Sequence, residues 1–235
     1  MRKYIPNIIT LMNLSAGTLA IYFVLFDRPG TALILMGIAL LMDFADGLAA
    51  RLLHAYSDLG KQLDSLADLI SFGLVPAAMV FKIFQTLFFS GECESSDLVT
   101  MLLPFTVLII PVFSAIRLGR FNLQEDSVVF LGLPVPANAM FWSGIYYEVI
   151  STGMLFDKEP GLWFYLSVLL LLSVLMVVNI SMLSLKFKNF RFRDNFLRYM
   201  LIAAGFVIFL LTGISGLPVI ILMYILISIG VSVLT

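Results

Sequence analysis

The sequence has few charged residues, and this scarcity excludes most soluble folds. Only 12% of its 235 residues are charged, against 61% that are hydrophobic. Soluble domains contain about 25% charged and roughly 45–50% apolar residues. With a mean hydropathy of +1.05, the chain has too little polar surface to cover a soluble domain. We therefore expect a polytopic membrane protein.

Cysteine and histidine are almost absent, since Cys93 and His54 each occur once. A single cysteine cannot form an internal disulfide. The sequence also lacks a basic patch with interleaved aromatic residues, which argues against binding to nucleic acid. The formal net charge of −1 says little about partners, because the charges are sorted by position along the chain.

Hydropathy predicts eight membrane-spanning helices, because the apolar runs approach the ~20 residues that cross a bilayer as helix. The segment from Arg117 to Leu133 is expected to be a loop with a short interfacial helix. The seventh run has only about 14 residues, so a tilted or re-entrant segment is the alternative there. The fold class is an all-α bundle in which residues 1–235 form one domain. The predicted spans are about 8–26, 31–53, 60–89, 98–116, 135–156, 162–185, 199–212 and 217–234.

Basic residues concentrate on one side of this topology. With both termini in the cytoplasm, the outer side keeps only Arg28, Lys158 and, within a span, Lys82. The acidic loop Gly91–Asp97 is also on the outer side. This asymmetry follows the positive-inside rule. The remaining basic residues all lie on the inner side: Arg2, Lys3, Arg51, Lys61, Arg117, Arg120, Lys186, Lys188, Arg191, Arg193 and Arg198.

Four aspartates lie within two predicted spans: Asp43, Asp46, Asp64 and Asp68. A charged side chain at the centre of a membrane helix costs ~2.5–3.5 kcal/mol on insertion scales. Arg51 is the only basic residue in the second predicted span, so basic side chains do not balance these acids. A divalent cation is the simplest compensation, because hard cations such as Mg²⁺ and Mn²⁺ bind carboxylate oxygens.

The spacing of these residues brings the acids together. Helix positions three, four or seven apart share one face, and the short link between the two helices makes them an antiparallel hairpin. Their acidic faces are expected to meet near the cytoplasmic interface, with small residues leaving space for a base or a pyrophosphate. The shared faces comprise Asp43, Asp46, Gly47 and Ala50 on the second helix, and Gly60, Asp64 and Asp68 on the third.

This run of residues resembles the signature of the CDP-alcohol phosphotransferase family. That signature reads D-x-x-D-G-x-x-A-R, eight residues, then G-x-x-x-D-x-x-x-D. All eight fixed positions match between Asp43 and Asp68 at the same spacing. The resemblance implies a membrane-embedded enzyme with a catalytic hairpin at about residues 31–89. It also implies a homodimer and a divalent metal cofactor, Mg²⁺ or Mn²⁺, as two ions.

The resemblance implies a role for each matching residue. Asp43, Asp46 and Asp64 correspond to metal ligands, and Asp68 corresponds to the base that deprotonates the acceptor alcohol and also reaches the metal. The nucleotide and its pyrophosphate are expected beside a second group of residues. These are Gly47, Ala50, Arg51, Gly60 and, on the first helix, Thr10.

Three further stretches are similar to bacterial phosphatidylserine synthases within this family. They are residues 5–14, 115–122 and 130–137. Val135 stands where those enzymes often have serine. The resemblance implies CDP-diacylglycerol and L-serine as substrates, CMP as a product, and the cell inner membrane as the location, with the active site on the cytoplasmic side. Glycerol 3-phosphate and inositol phosphate remain alternative acceptors within the family.

Arg117, Arg120 and Asn122 are candidate residues for binding the acceptor. Arginine is suited to bidentate binding of a carboxylate such as that of serine. Arginines at an inner membrane interface also set topology and contact lipid headgroups, and that alternative stays open here.

A cation channel or transporter is the alternative from another functional class, because intramembrane acids also line ion pathways. It predicts acids distributed along a path. The acids here instead cluster toward one face of the membrane. Direct attack by the acceptor is favoured over a covalent intermediate, because no serine, cysteine or histidine nucleophile lies in the acidic cluster.

Overall fold

The computed structural model describes residues 4–88, 98–123, 131–152, 158–183, 193 and 195–234. Within these ranges the chain is helical, apart from short links and one isolated antiparallel bridge between Leu131 and Ser181. The predicted outer loop Gly91–Asp97 and most of the basic stretch 186–198 lie outside the described residues. The α-helices are α1 (Tyr4–Leu25), α2 (Pro29–Leu52), α3 (Asp58–Asp68), α4 (Val75–Phe88), α5 (Leu98–Thr106), α6 (Ile109–Leu123), α7 (Val135–Thr152), α8 (Lys158–Val177), α9 (Phe196–Thr212) and α10 (Leu217–Leu234).

Five helical stretches in the described ranges are long and apolar enough to cross a membrane. The described ranges thus make an all-α, multi-pass membrane protein, while the number eight remains a prediction. The surface agrees, because large apolar side chains such as Ile34, Leu41 and Phe44 on α2 face outward. The five stretches are Tyr4–Leu25, Pro29–Leu52, Asp58–Leu87, Leu102–Leu123 and Phe196–Ser232, and a shorter apolar helix covers Gly161–Val177.

Two predicted boundaries are wrong. The stretch following Arg117 is not a loop at its start, because α6 continues unbroken to Leu123. The predicted sixth span ends early, since α8 stops at Val177 rather than near residue 185. The chain beyond it turns back along residues 131–133, where the Gly132 amide donates to the Ile180 carbonyl at 2.9 Å.

Gly132 makes this close pairing possible. Its φ of +72° lies in the left-handed region, which glycine adopts without steric cost. A Cβ at this position would collide with the backbone carbonyl of Met176. The next amide, that of Leu133, donates to the Leu175 carbonyl at 2.8 Å. The start of α7 is therefore attached to the end of α8 by backbone contacts.

The interior is formed around α4 and α7, which pack against each other. Trp142, Tyr146 and Tyr165 are among the largest fully buried side chains. At one end of the bundle, Lys82 of α4 forms an ion pair with Asp27 at 2.7 Å, between α1 and α2. This ion pair ties α4 to the link between α1 and α2.

The helix after the α2–α3 link contains an irregular turn. Ser57 caps α3 by accepting a hydrogen bond from the Gly60 amide at 3.0 Å. α3 ends at Asp68, and the next six residues, Leu69–Leu74, form a π-helical turn before α4 begins. We call these residues the π segment. Single π-helical turns of this kind are frequent at functional sites.

The first helix lies beside the whole hairpin. α1 packs against α2, α3, the π segment and α4. Its buried face includes Thr10, Asn13 and Gly17, which follow one another at intervals of three and four residues and so share a face. α1 therefore covers the region where the acids of α2 and α3 meet.

Candidate functional site

Three aspartates from two helices converge at one point. Oxygen atoms of Asp43 on α2, and of Asp64 and Asp68 on α3, all lie within 4.8 Å of one another, and each residue is partly buried. The carboxyl groups of Asp43 and Asp68 are close enough to form a hydrogen bond. The hairpin therefore produces the convergence that the spacing of the acids predicts.

The fourth aspartate, Asp46, is the most buried of the four, with 5% of its surface exposed. It lies near enough to Asp43 and Asp64 to interact with both electrostatically. Its Oδ2 accepts a 2.6 Å hydrogen bond from the hydroxyl of Thr10 on α1. Such a bond to a carboxylate is short and strong, so it restricts the orientation of Asp46.

Asn13 makes the second contact from α1 to the cluster. Its Nδ2 donates to Asp68 Oδ1 at 3.3 Å, and its backbone carbonyl accepts a 3.2 Å hydrogen bond from Ser71 in the π segment. Asn13 is not among the site residues that the sequence pattern predicts. The available signal was its position three residues after Thr10, which places both side chains on one face of α1.

The candidate nucleotide residues differ in their surroundings. A Cβ added to Gly47 would meet no atom within 4 Å, so the expected space is present there. The space expected beside Gly60 is filled, since a Cβ would lie 3.0 Å from both Asn7 Oδ1 and Ser57 Oγ. Ala50 is half-buried, and Arg51 is exposed in the last turn of α2. The glycine at position 60 thus permits close approach of α1 and the α3 cap.

Arg117 lies inside the bundle near the acids. It is partly buried, and Asp68 and Tyr224 of α10 are both close enough to interact with it electrostatically. Its Nε is buried and has no hydrogen-bond partner among the described residues. A guanidinium with unused donors beside a carboxylate cluster can bind an anionic group of a ligand.

The other two candidate acceptor residues contact the protein itself. Arg120 donates to the Val177 carbonyl at 2.8 Å, at the end of α8. The Asn122 side-chain amide donates to Ser65 Oγ at 2.7 Å. Its backbone carbonyl accepts a hydrogen bond from Lys61 Nζ, also at 2.7 Å. These bonds tie the last turn of α6 to α8 and α3. The structure brings Arg117, but not the side-chain donors of Arg120, to the acidic cluster.

The donor set suits a hard divalent cation. Three carboxylates offer oxygen atoms close together, and the described ranges contain no basic side chain in an ion pair with any of them. Mg²⁺ and Mn²⁺ prefer carboxylate oxygens. Helices hold these ligands. From α1, Asn13 donates to Asp68 within the cluster and Thr10 donates to the neighbouring Asp46. The residues present therefore fit the metal that their spacing suggests.

Comparison with known proteins relates this site to phospholipid-synthesising enzymes. The family model for CDP-alcohol phosphatidyltransferase matches residues 3–188, a range that includes all four aspartates. Several curated relatives carry the name CDP-diacylglycerol–serine O-phosphatidyltransferase.

Three relatives give the extent of the similarity. The Bacillus subtilis protein is 34% identical over 140 residues, which cover 59% of this chain and 72% of the relative. The Mycobacterium bovis protein is 32% identical over 151 residues, or 61% of this chain and 49% of the relative. The Helicobacter pylori protein is 29% identical over 189 residues, which cover 79% of this chain and 72% of the relative. The match thus spans about half of the mycobacterial protein and more of the other two.

Proposed function

Because the chain belongs to the CDP-alcohol phosphatidyltransferase family, we propose that it transfers the phosphatidyl group of CDP-diacylglycerol to L-serine and releases CMP. The observation that carries the proposal is the convergence of Asp43, Asp64 and Asp68 within 4.8 Å inside an apolar helical bundle. Such a cluster is costly in a membrane unless it binds a cation or a substrate.

The proposed reaction is a direct displacement at phosphorus. The serine hydroxyl oxygen bonds to the phosphorus that carries diacylglycerol. The bond from that phosphorus to the oxygen bridging to CMP breaks, and CMP leaves with the electron pair. Asp68 accepts the hydroxyl proton, a role suited to a carboxylate held beside the acceptor. No serine, cysteine or histidine is needed as a nucleophile.

Asp43, Asp46 and Asp64 would hold the divalent metal, and Asp68, which converges with Asp43 and Asp64, would also reach it. When bound, Mg²⁺ or Mn²⁺ would neutralise charge that develops on the diphosphate during transfer. Two ions are our proposal for this site. The chain itself holds the carboxylates in place. Thr10 on α1, for example, restrains Asp46 by a hydrogen bond.

The nucleotide is proposed to bind along the exposed side of α2. The space beside Gly47 admits a flat or charged group, and Ala50 follows on the same face. Arg51, exposed one position later, can approach the pyrophosphate. Thr10 and Gly60 would border this site indirectly, by fixing the positions of Asp46 and of the α3 cap.

Serine is the proposed acceptor for two reasons. The curated relatives described above are all named for serine. Arg117 has an unpartnered, buried Nε close to Asp68, and a guanidinium there can bind the serine carboxylate while the hydroxyl faces the base. Arg120 and Asn122 would support this position by holding α6 in place.

The protein is further proposed to be a homodimer of one-domain chains in the cell inner membrane, with eight spans and its active site on the cytoplasmic side. The positive-inside pattern supports this orientation. The link between α2 and α3 would then face the cytoplasm, where serine and metal are available.

The decisive experiment is CMP release by the purified full chain. CDP-diacylglycerol and Mn²⁺ are supplied with serine, glycerol 3-phosphate or inositol phosphate in separate reactions. CMP that depends on serine and disappears with chelator supports the proposal. CMP release that depends on another acceptor would overturn the assignment of serine as the acceptor, while the assignment of the active-site residues would stand. If no acceptor yields CMP while the protein conducts cations across vesicles, the transferase assignment is wrong.

A further inference from the structure

Asn13 is an unusual residue to find within the bundle. It is completely buried on α1, yet only its Nδ2 has a side-chain partner, the Oδ1 of Asp68 at 3.3 Å. Its own Oδ1 is buried without a hydrogen-bond partner in the described parts of the chain. A buried amide needs hydrogen-bond partners, and the side-chain partner that Asn13 has in the described residues is the carboxylate of Asp68.

The backbone around Asn13 is anchored to the residues that follow Asp68. The Asn13 carbonyl accepts a 3.2 Å hydrogen bond from the Ser71 hydroxyl. One turn later, Gly17 lies so close to Ser71 that a Cβ on the glycine would overlap the serine backbone. α1 and the π segment therefore meet at a fixed position, just beyond the end of α3.

The π segment begins immediately after Asp68. A π-helical turn contains one more residue than an α-helical turn and so changes which side chains face a given direction. Here Asp68 faces the acidic cluster, while Phe72 and Val75 are fully buried in the core. The contacts of Asn13 and Gly17 thus hold the helix at the point where the direction of its side chains changes.

We propose that Asn13 is a positioning residue for Asp68, an inference that rests on the proposed function. The amide takes one carboxylate oxygen, Oδ1, and leaves Oδ2 for the acceptor hydroxyl. An amide neither gains nor loses a proton under ordinary conditions, so it orients the base without competing for the transferred proton. The 3.3 Å distance suits this role, because catalytic hydrogen bonds are often long in the absence of substrate.

The test compares Asn13→Ala with Asn138→Ala. Asn138 is a second completely buried asparagine, on α7, and within the described residues its side chain makes no hydrogen bond to the acidic cluster. For Asn13→Ala we expect kcat to fall about 10–100-fold, as when groups that orient metal or catalytic ligands are removed. The KM for CDP-diacylglycerol and the amount of CDP-diacylglycerol bound per protein should stay within about threefold of the wild type. For Asn138→Ala, kcat should stay within about twofold.

A double-mutant cycle separates positioning from general packing. If Asn13 acts through Asp68, adding Asn13→Ala to Asp68→Asn should reduce the residual rate by less than about twofold, because the two effects are not independent. A further full-sized decrease in the double variant would overturn the proposal. So would a parallel loss of kcat and of CDP-diacylglycerol binding in Asn13→Ala.

Two precautions keep the test informative. If Asn13→Ala does not fold, Asn13→Ser keeps a small polar side chain on α1 but is too short to reach Asp68, and the same split between kcat and binding is expected. The measurements use whichever acceptor gives CMP with the wild type. Failure of serine would then count against the proposed function and not against Asn13. If no acceptor supports transfer, the proposed function and the positioning role of Asn13 are both overturned.

Discussion

Thr10 on α1 donates a 2.6 Å hydrogen bond to Asp46 on α2, across 36 positions of sequence. Both side chains are almost completely buried, at 3% and 5% exposure. The bond gives the most buried acid of the cluster a partner outside the acidic hairpin. It also makes α1 part of the site, although α1 carries none of the clustered carboxylates.

Thr10→Val should therefore impair the site while preserving the shape of the side chain. The valine cannot donate to Asp46, so we expect the Mn²⁺ concentration for half-maximal CMP release to rise about 10–100-fold, the usual effect of removing a group that orients a metal ligand. Thr10→Ser should recover most of the loss. Thr18→Val is the matched control, since among the described residues the exposed Thr18 hydroxyl donates to the Leu14 carbonyl of its own helix. Equal effects at positions 10 and 18 would contradict the role of the Asp46 bond.

Asp64→Asn should reveal the metal requirement. Replacing one of three converging carboxylates removes a charged oxygen ligand, so we expect the Mn²⁺ requirement to rise at least about tenfold. Chelator should abolish wild-type CMP release, and added Mn²⁺ should restore it. Asp58, an exposed residue in the first turn of α3, provides the control. The Asp58→Asn variant should require the same Mn²⁺ concentration as the wild type. Chelator-resistant turnover would rule out metal-dependent transfer.

Asp68→Asn should separate catalysis from binding. The amide cannot accept the acceptor proton, so turnover should fall about 10²–10⁴-fold, the usual contribution of a general base. CDP-diacylglycerol binding in the presence of Mn²⁺ should persist, as measured by equilibrium binding to the purified variant. Near-normal turnover would exclude Asp68 as the base. Undiminished cation flux alongside absent transfer would favour an ion pathway.

Arg117→Lys tests the proposed carboxylate site. Lysine keeps the charge but lacks the planar pair of donors that binds a carboxylate in two places, so the KM for serine should rise about tenfold or more. The KM for CDP-diacylglycerol should change less than about threefold. Arg28→Lys, at the start of α2 and remote from the acids in sequence and fold, should leave both constants unchanged. An unchanged serine KM in Arg117→Lys would remove this residue from the acceptor site.

Gly47→Ala should reduce activity without reducing stability. The added methyl group meets no protein atom within 4 Å, and alanine favours helix over glycine by about 1 kcal/mol. Any loss of CDP-diacylglycerol affinity would then come from obstruction of the proposed nucleotide space. We expect the KM for CDP-diacylglycerol to rise about tenfold and the melting temperature to stay the same or increase.

Gly37→Ala is the matched control for this prediction. Gly37 lies on the same helix, and its Cβ would also meet no atom within 4 Å, but it precedes the acidic residues by more than one turn. Its substitution should have a similar effect on stability and no effect on the KM. If both variants lose affinity equally, the space beside Gly47 is not specific to the nucleotide.

Local patterns in the sequence determined much of this protein. Long apolar runs predict membrane helices because a bilayer requires that length and composition. The intervals between Asp43 and Asp46, and between Asp64 and Asp68, place each pair on one helix face because the α-helix repeats every 3.6 residues. The short link between α2 and α3 then brings the two faces together.

Hydropathy could not locate every helix end, because some ends are set by contacts with distant parts of the chain. α6 continues through Arg117 to Leu123 although its last turn is polar, because Arg120 and Asn122 are stabilised there by bonds to α8 and α3. α8 ends at Val177 within an apolar run, because the chain beyond it pairs with residues 131–133. In both cases the partner lies more than 40 positions away, outside any window of hydropathy.

Only the tertiary structure decided which side chains support the acids. The bonds from Thr10 to Asp46 and from Asn13 to Asp68 cross 36 and 55 positions, and depend on how α1 packs over the hairpin. The same packing distinguishes Arg117, inside the bundle, from Arg120, which binds a backbone carbonyl. Helical periodicity is a property of a single segment, whereas contacts between helices depend on the packing of the whole chain.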